Sequence, residues 1–190
     1  MGYEDVLKDI PVSEYKERLA KTKKEMEAKG LEGLLVYSDS ARMSNVRWLA
    51  DYRAFDGVFP YPAMVFVPLV GDPILFAEGS LVGYAKDKTW FDDTRGIRQE
   101  LGNVVSDFAS KHPGAKIGLS GAKYCALEFY EQIMANIGNA HLQKTMLIEN
   151  LKSVKSEREI RNMKVAGELA DKGLWKIKEI LEAEKIITER

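Results

Sequence analysis

Hydrophobic positions recur along the chain at two spacings, and the switch between them marks the elements. Between Val12-Ser13 and Gly30, the positions Tyr15, Leu19, Thr22 and Met26 fall at three- and four-residue steps. They predict a helix with an N-cap at Val12-Ser13 and a closing glycine. Leu34-Leu35-Val36-Tyr37 is an unbroken apolar run, hence a short buried strand, ending in the turn-prone Ser38-Asp39-Ser40. Ala41 to Leu49 reads as helix. Ala63 to Val67 and Pro73 to Ala77 are strands joined by Leu69-Val70-Gly71-Asp72, a hairpin signal, and Trp90 to Asp93 reads as a further strand. Ile97 to Ala109 returns to helical spacing. A loop at Lys111-His112-Pro113-Gly114, a strand at Lys116 to Ser120 and a helix at Tyr124 to Ile137 follow, while His141 to Thr145 is open between loop and edge strand. Helices and strands mixed in this order, with one hairpin inside, predict an α/β fold: a mixed sheet flanked by helices.

The tail has another character. Ser156 and Glu159 form a capping box, in which each side chain satisfies the other residue's free amide. Ile160, Met163, Ala166, Ala170, Leu174, Ile177 and Leu181 then lay one apolar face along a long helix. Such a face needs cover, from the sheet or from further protein. The chain stops at Ile186 to Arg190 without turn chemistry or a polar tail, which reads as a truncation. The expected organisation is a domain over 1–150 and a linker helix over 151–190.

Composition narrows the class. Apolar residues make up 45% and charged residues 30%, a globular balance with material for a core. The 28 basic and 29 acidic side chains leave a net charge of −1, without the basic surplus that nucleic-acid binding draws on. The basic stretch Lys16 to Lys24 also holds Glu17 and reads as a solvated helix face. The longest apolar run, Ala63 to Val70, is interrupted by Pro68 and too short to span a bilayer. Met1 to Lys8 lack the apolar stretch of a secretory signal, so a cytoplasmic protein is expected. One cysteine, Cys125, excludes a disulfide within the chain and suits a reducing compartment.

Familiar catalytic patterns do not assemble. Gly118 to Gly121 has neither the spacing nor the lysine of a phosphate loop, and Gly118-Leu119-Ser120-Gly121-Ala122 fails the nucleophile-elbow pattern. The two histidines, His112 in a turn and His141 beside an apolar strand, read as structural. Asp92 and Asp93 are adjacent and in a strand would point to opposite faces, unable to converge on one metal. Cys125 at a helix beginning has the placement of a reactive thiol but reads first as a packing residue.

Two segments carry a resemblance. One is Ser13-Glu14-Tyr15-Lys16-Glu17-Arg18-Leu19, continuing to Gly30-Leu31-Glu32-Gly33-Leu34-Leu35-Val36 and Asn45-Val46-Arg47-Trp48-Leu49-Ala50-Asp51-Tyr52. The other is Leu151-Lys152-Ser153-Val154-Lys155-Ser156-Glu157-Arg158-Glu159-Ile160, running through Met163, Ala166, Ala170 and Asp171. Together, in this order, they resemble the N-terminal domain of the creatinase, prolidase and aminopeptidase P family. Asp51 stands where that family commonly has Gly, and Ala50 where it often has a hydroxyl residue.

The resemblance implies a parent protein with a C-terminal "pita-bread" half. In peptidase members two Asp, one His and two Glu of that half hold two divalent metal ions, such as manganese, cobalt or zinc, which activate a bridging water. Those ligands would lie beyond Arg190, so the chain itself is expected to bind no metal and to be inactive alone. The resemblance also implies a homodimer in which this domain edges the partner's active site, acting on Xaa-Pro peptides or small amides; from the charge balance and the short apolar runs, no nucleic acid and no membrane is expected as a partner. The residues expected to border substrate lie in the long aromatic connection Tyr52 to Tyr61. There Arg53 would clamp a carboxylate, and Phe55, Phe59 and Tyr61 would wall the pocket. The competing reading has the aromatics capping the sheet end and Arg53 in a surface ion pair. The residues also leave open a free-standing dimerisation or small-ligand module, the front domain of a creatinase-like C–N hydrolase, and a small enzyme using Cys125.

Overall fold

A computed structural model describes residues 10–53 and 60–183. The elements run α1 (Val12–Ala28), β1 (Gly33–Asp39), α2 (Ser44–Ala50), β2 (Pro62–Pro68) and β3 (Ile74–Ala77). A 3-10 turn (Gly79–Leu81) leads to α3 (Val82–Lys88), β4 (Asp93–Gly96), α4 (Ile97–Lys111), β5 (Lys116–Ser120), α5 (Leu127–Asn136), β6 (His141–Lys144), α6 (Leu147–Ser153) and α7 (Glu157–Ala183). Among the described residues these make one six-stranded sheet in the order β4-β3-β2-β1-β5-β6. β2 is antiparallel to both β1 and β3, whereas β1, β5 and β6 pair in parallel, as do β3 and β4. The fold is therefore mixed α/β, as the alternation of elements predicts.

Strand periodicity divides the core in two. Leu34, Val36, Val65, Val67, Leu75 and Ala77 face one cluster with Met26, Leu49, Leu147 and Ile148 from α1, α2 and α6. Their neighbours Leu35, Tyr37, Met64, Phe66 and Phe76 face the other, with Leu101 and Val105 of α4 and Phe129 and Ile133 of α5. Both faces are covered by helices, which is why the central strands read as unbroken apolar runs rather than alternating ones. Each large side chain buried in this way contributes roughly 1.5–3 kcal/mol.

The ends of α1 answer the sequence differently. Ser13 is not its cap; Pro11 stands at that position, where a proline's missing N–H costs nothing, and it makes no side-chain cap hydrogen bond. Gly30 does close it, with φ of 63°. The Leu31 amide donates to the Met26 carbonyl at 2.8 Å and the Gly30 amide to Glu27 at 3.0 Å, a Schellman closure. Leu31 and Met26 are both fully buried in the same cluster, so the closure is also a packing contact.

Further elements depart from the sequence reading or settle what it left open. Trp90-Phe91 is not strand, since β4 begins only at Asp93. The Trp90 indole donates to the Leu49 carbonyl at 2.8 Å and the Thr89 hydroxyl to Ala50 at 2.7 Å, so this segment satisfies the last carbonyls of α2 instead. Neither α3, which buries only Ala85, nor α6 has a counterpart in the sequence reading. α5 starts at Leu127, three residues later than expected, and His141 to Lys144 forms the edge strand β6.

The chain divides into two units at Ser153/Val154. The first, from Pro11, is the domain just described. The second contains α7, whose capping box forms as expected: the Ser156 amide donates to Glu159 Oε2 at 2.8 Å and the Glu159 amide to Ser156 Oγ at 3.1 Å. Its Ile160, Met163, Leu174, Ile177 and Leu181 are exposed.

Candidate functional site

The polar residues of the domain interior gather where β1 and β5 end. The chain leaves β1 toward β2, β3 and β4 on one side, then crosses through α4 to β5 on the other. That reversal opens a crevice outside the carboxyl ends of the two strands, the place where open α/β sheets accommodate ligands. Terminal serines hold its walls. Ser38 of β1 accepts the Val46 amide of α2 at 3.0 Å, and Ser120 of β5 accepts the Ile148 amide of α6 at 3.3 Å. Each strand thus caps a helix, β1 the one that follows it and β5 one 28 residues on, and α2 has no side-chain cap in its own N-terminal turn.

One wall is built on Glu149 of α6. Its Oε1 accepts the Gly121 amide and the Asn45 amide nitrogen, both at 2.9 Å. Gly121 has φ of 80°, and a Cβ there would lie 2.5 Å from the Tyr37 carbonyl, so only glycine can bring that amide in. Lys152, one turn on from Glu149, donates to Asn45 Oδ1 at 2.5 Å and to Ser44 Oγ at 2.6 Å. With its oxygen occupied by the ammonium, Asn45 must turn its NH2 to the carboxylate. Glu149 Oε2 is buried with no hydrogen-bond partner among the described residues.

The other side is built on Asp39, 2% exposed at the end of β1. It accepts the Arg42 amide at 2.7 Å, and the Arg42 guanidinium through Nε at 3.1 Å and Nη2 at 2.5 Å. The guanidinium lies 4.7 Å from the centre of the Tyr124 ring. Arg42 and Tyr124 separate two hollows. One, of about 490 Å³, is lined by Ser38, Ser44, Asn45, Glu149 and Lys152 among others. The second, of about 630 Å³, is lined by Tyr61, Glu78, Arg98 and Glu128 among others. Tyr37 lines both, and burial, with the Asp39 charge behind it, pushes its phenol up to about 12.

Of the four residues expected to border substrate, Tyr61 comes to this crevice: it lines the second hollow, packs against the core, and accepts the Ser40 amide at 3.1 Å through its carbonyl. Arg53 is exposed and lines neither hollow. Phe55 and Phe59 lie outside the described residues. Arg42, Tyr124, Glu149 and Lys152 do not stand out in the sequence; the available signal is the polar run Ser38-Asp39-Ser40 following a buried strand. Cys125 lies in the loop before α5 rather than in a helical turn, and burial pushes its thiol up to about 11, away from thiolate chemistry. His112 is exposed and stacks on Phe108 with ring centres 4.5 Å apart; His141 is exposed at the edge of the sheet. Among the described residues no group of three or more His, Cys, Asp or Glu is placed to hold a metal ion. No described helix is long and apolar enough to cross a membrane.

The geometry has counterparts among solved structures. An Xaa-Pro aminopeptidase from Streptococcus pyogenes superposes with a TM-score of 0.58 at 20% identity, covering 74% of this chain and 99% of that one. The N-terminal domain of cytoplasmic peptidase PepQ from Mycobacterium tuberculosis gives 0.54 at 20% identity, over 71% and 98%. A prolidase from Thermococcus sibiricus gives 0.68 at 19% identity and covers 87% of this chain, which spans only 44% of the prolidase. No curated protein sequence matches the chain. At these identities the structures speak for the fold alone, but the sequence model of the creatinase/prolidase N-terminal domain matches residues 18–154, well over half of the chain. By that match, the chain belongs to the creatinase/prolidase N-terminal domain family.

Proposed function

We propose that this chain is the front domain of an Xaa-Pro peptidase of the prolidase or aminopeptidase P type, inactive alone and assisting an active site assembled elsewhere. The observation that carries this reading is the family match over residues 18–154. In this reading residues 1–150 form the front domain and 151–190 the helix leading toward a catalytic half. The divalent metals, such as manganese, cobalt or zinc, are held by residues of that half. The working unit is a cytoplasmic homodimer, with Arg53, Phe55, Phe59 and Tyr61 bordering the partner's peptide or small-amide substrate. The cytoplasmic peptidase among the structural relatives supports the location. The 44% share of the Thermococcus prolidase supports the division of labour.

The test assays glycyl-proline hydrolysis in the presence of manganese, cobalt or zinc. The 190-residue chain is expected to give no turnover; hydrolysis by it would sink the proposal. In a longer chain carrying a catalytic half, Arg53→Ala is expected to raise KM about tenfold through loss of a bidentate carboxylate contact, with kcat little changed. Unchanged kinetics would remove Arg53 from the site.

A further inference from the structure

We propose that the hollow lined by Arg42, Ser44 and Lys152 is a binding site for a phosphate group, free or carried on a small molecule. Two phosphate oxygens lie on the outer edge of the Arg42 guanidinium and a third on the Ser44 hydroxyl. The site belongs to the front domain itself and does not rest on the peptidase reading. Its basis is a wall whose hydrogen-bond donors reach the surface, while its carboxylates lie beneath it or are already taken up.

Arg42 presents a fixed fork of donors. Asp39 holds its Nε edge, with Oδ2 3.1 Å from Nε and 2.5 Å from Nη2, and the guanidinium lies over the Tyr124 ring, 4.7 Å from its centre. Among the described residues, neither N–H of Nη1 nor the second N–H of Nη2 has an acceptor. The Arg42 side chain is 49% exposed and that of Asp39 only 2%, so the cation stands at the surface with its counter-charge below it. A guanidinium edge held in this way receives two phosphate oxygens through parallel bonds, with little rotamer freedom left to lose.

Ser44 supplies the next donor. It is exposed in the same hollow, two residues on from Arg42, and two residues of chain span at most about 7 Å. Its Oγ accepts the Lys152 ammonium at 2.6 Å, so the hydroxyl has its own proton to donate, and the ammonium behind it strengthens that donor. Lys152 also donates to Asn45 Oδ1 at 2.5 Å; both acceptors are neutral, so these bonds bring a second positive charge to the wall without cancelling it. Glu149 offers the hollow no open oxygen: Oε1 already accepts the Gly121 and Asn45 donors, and Oε2 is buried.

The donors select the ligand class. A carboxylate has two oxygens and one charge, and once seated on Arg42 it leaves the Ser44 hydroxyl unanswered. A phosphate group near pH 7 carries about −1.5 to −2 and three strong acceptor oxygens, enough for the guanidinium edge and the hydroxyl together. The volume, about 490 Å³, exceeds what a bare phosphate ion fills, and Tyr37, Met43 and Tyr124 add apolar wall for a small organic body. Its place outside the ends of β1 and β5 is the one this sheet topology provides for ligands.

The test is calorimetric titration of the 190-residue chain at pH 7, in a phosphate-free buffer, with glycerol 3-phosphate, inorganic phosphate and lactate, a small carboxylate. Saturable one-to-one binding is expected for phosphate, and the tighter of the two phosphates tells an ester site from a site for the free ion. Lactate should bind about tenfold more weakly than the tighter phosphate. Arg42→Lys keeps the charge but not the fork and should weaken phosphate binding about tenfold. Ser44→Ala should erase most of the preference for phosphate over lactate. The lactate comparison on the unaltered chain carries the test even where Arg42→Lys, which disturbs the bond to Asp39, fails to fold. No saturable binding of either phosphate, lactate binding as tightly as phosphate, or full phosphate affinity in both folded variants would overturn the proposal. Because phosphate binding needs no catalytic half, its failure leaves the peptidase reading standing, and hydrolysis of glycyl-proline by the chain would sink that reading without touching this one.

Discussion

Asp51 holds a backbone conformation that L-residues avoid. Its φ of 55° and ψ of 15° are left-handed, and among the described residues it is the one non-glycine with positive φ. It follows α2 as the helix closes, in the place where the family commonly has Gly, and the backbone keeps the left-handed turn despite the change of residue. Two properties of the side chain make that tolerable. Aspartate is among the few residues that enter this region with reduced penalty, against about 1–2 kcal/mol for an ordinary one. Its Oδ1 also accepts the hydroxyl of Tyr15 at 2.6 Å, tying α1 to the end of α2. Burial, and then the bond to Asp51, raises the Tyr15 pKa and keeps the phenol a donor. The two effects separate by substitution. Asp51→Asn keeps both and should be nearly neutral. Asp51→Gly loses the bond but relieves the backbone, for a net cost of about 1 kcal/mol or less. Asp51→Ala loses the bond and keeps the strain, at about 2–3 kcal/mol. Urea denaturation of the three variants checks the order, and alanine no worse than glycine would refute the strain argument.

At the scale of elements, the crevice depends on strands that cap helices. Ser38 serves α2 and Ser120 serves α6. Both serines are buried, so losing either hydroxyl strands an amide away from water. Ser38→Ala and Ser120→Ala should each cost about 1 kcal/mol in urea denaturation. A cost indistinguishable from zero in either would show that solvent replaces the cap. Such caps from neighbouring strands also explain why parts of the fold are not legible in the sequence. β1, β2, β3, β5, α1 and α4 are legible because their signals are local: apolar runs covered on both faces, or helical spacing over many residues. α2 is legible only roughly, its start set by a serine from a neighbouring strand and its end by Trp90 and Thr89. α3 buries one residue in seven and leaves no periodic trace. The crevice is harder still. Arg42 looks like an ordinary exposed cation until Asp39 and Tyr124 are seen to fix it, and Glu149 and Asn45 meet only through the fold. The connection Tyr52 to Tyr61 draws attention by composition, and of its two chosen residues that are described, Tyr61 lies at the crevice and Arg53 does not.

For the domain from Pro11 to Ser153 taken whole, buried acids set the alkaline limit. Its core keeps neutral groups that would ionise in an unfolded chain. Burial pushes Cys125 from 9.0 up to about 11 and, with Tyr84 nearby, Tyr52 from 10.0 to about 12. Tyr37 reaches about 12 by burial and the Asp39 charge, and Tyr15 is also raised. In each case the folded state binds the proton more tightly than the unfolded one. Below the unfolded value both states are protonated and the contribution is complete. Between the two values only the unfolded chain releases its proton, so stability falls with pH until the folded value is passed. Stability should therefore hold level up to about pH 9, decline first through Cys125, then more steeply from about pH 10 to 12 as the tyrosines join. Tyr52 provides the control. It is 1% exposed, and its hydroxyl has no hydrogen-bond partner among the described residues. Tyr52→Phe removes one ionisation and one unsatisfied polar atom together, so it should stabilise the neutral-pH protein by up to about 1 kcal/mol and flatten the decline above pH 10. Urea denaturation from pH 7 to 12 measures both. A decline that begins below pH 8, or a phenylalanine variant that follows the parent above pH 10, would show that other groups set the alkaline limit.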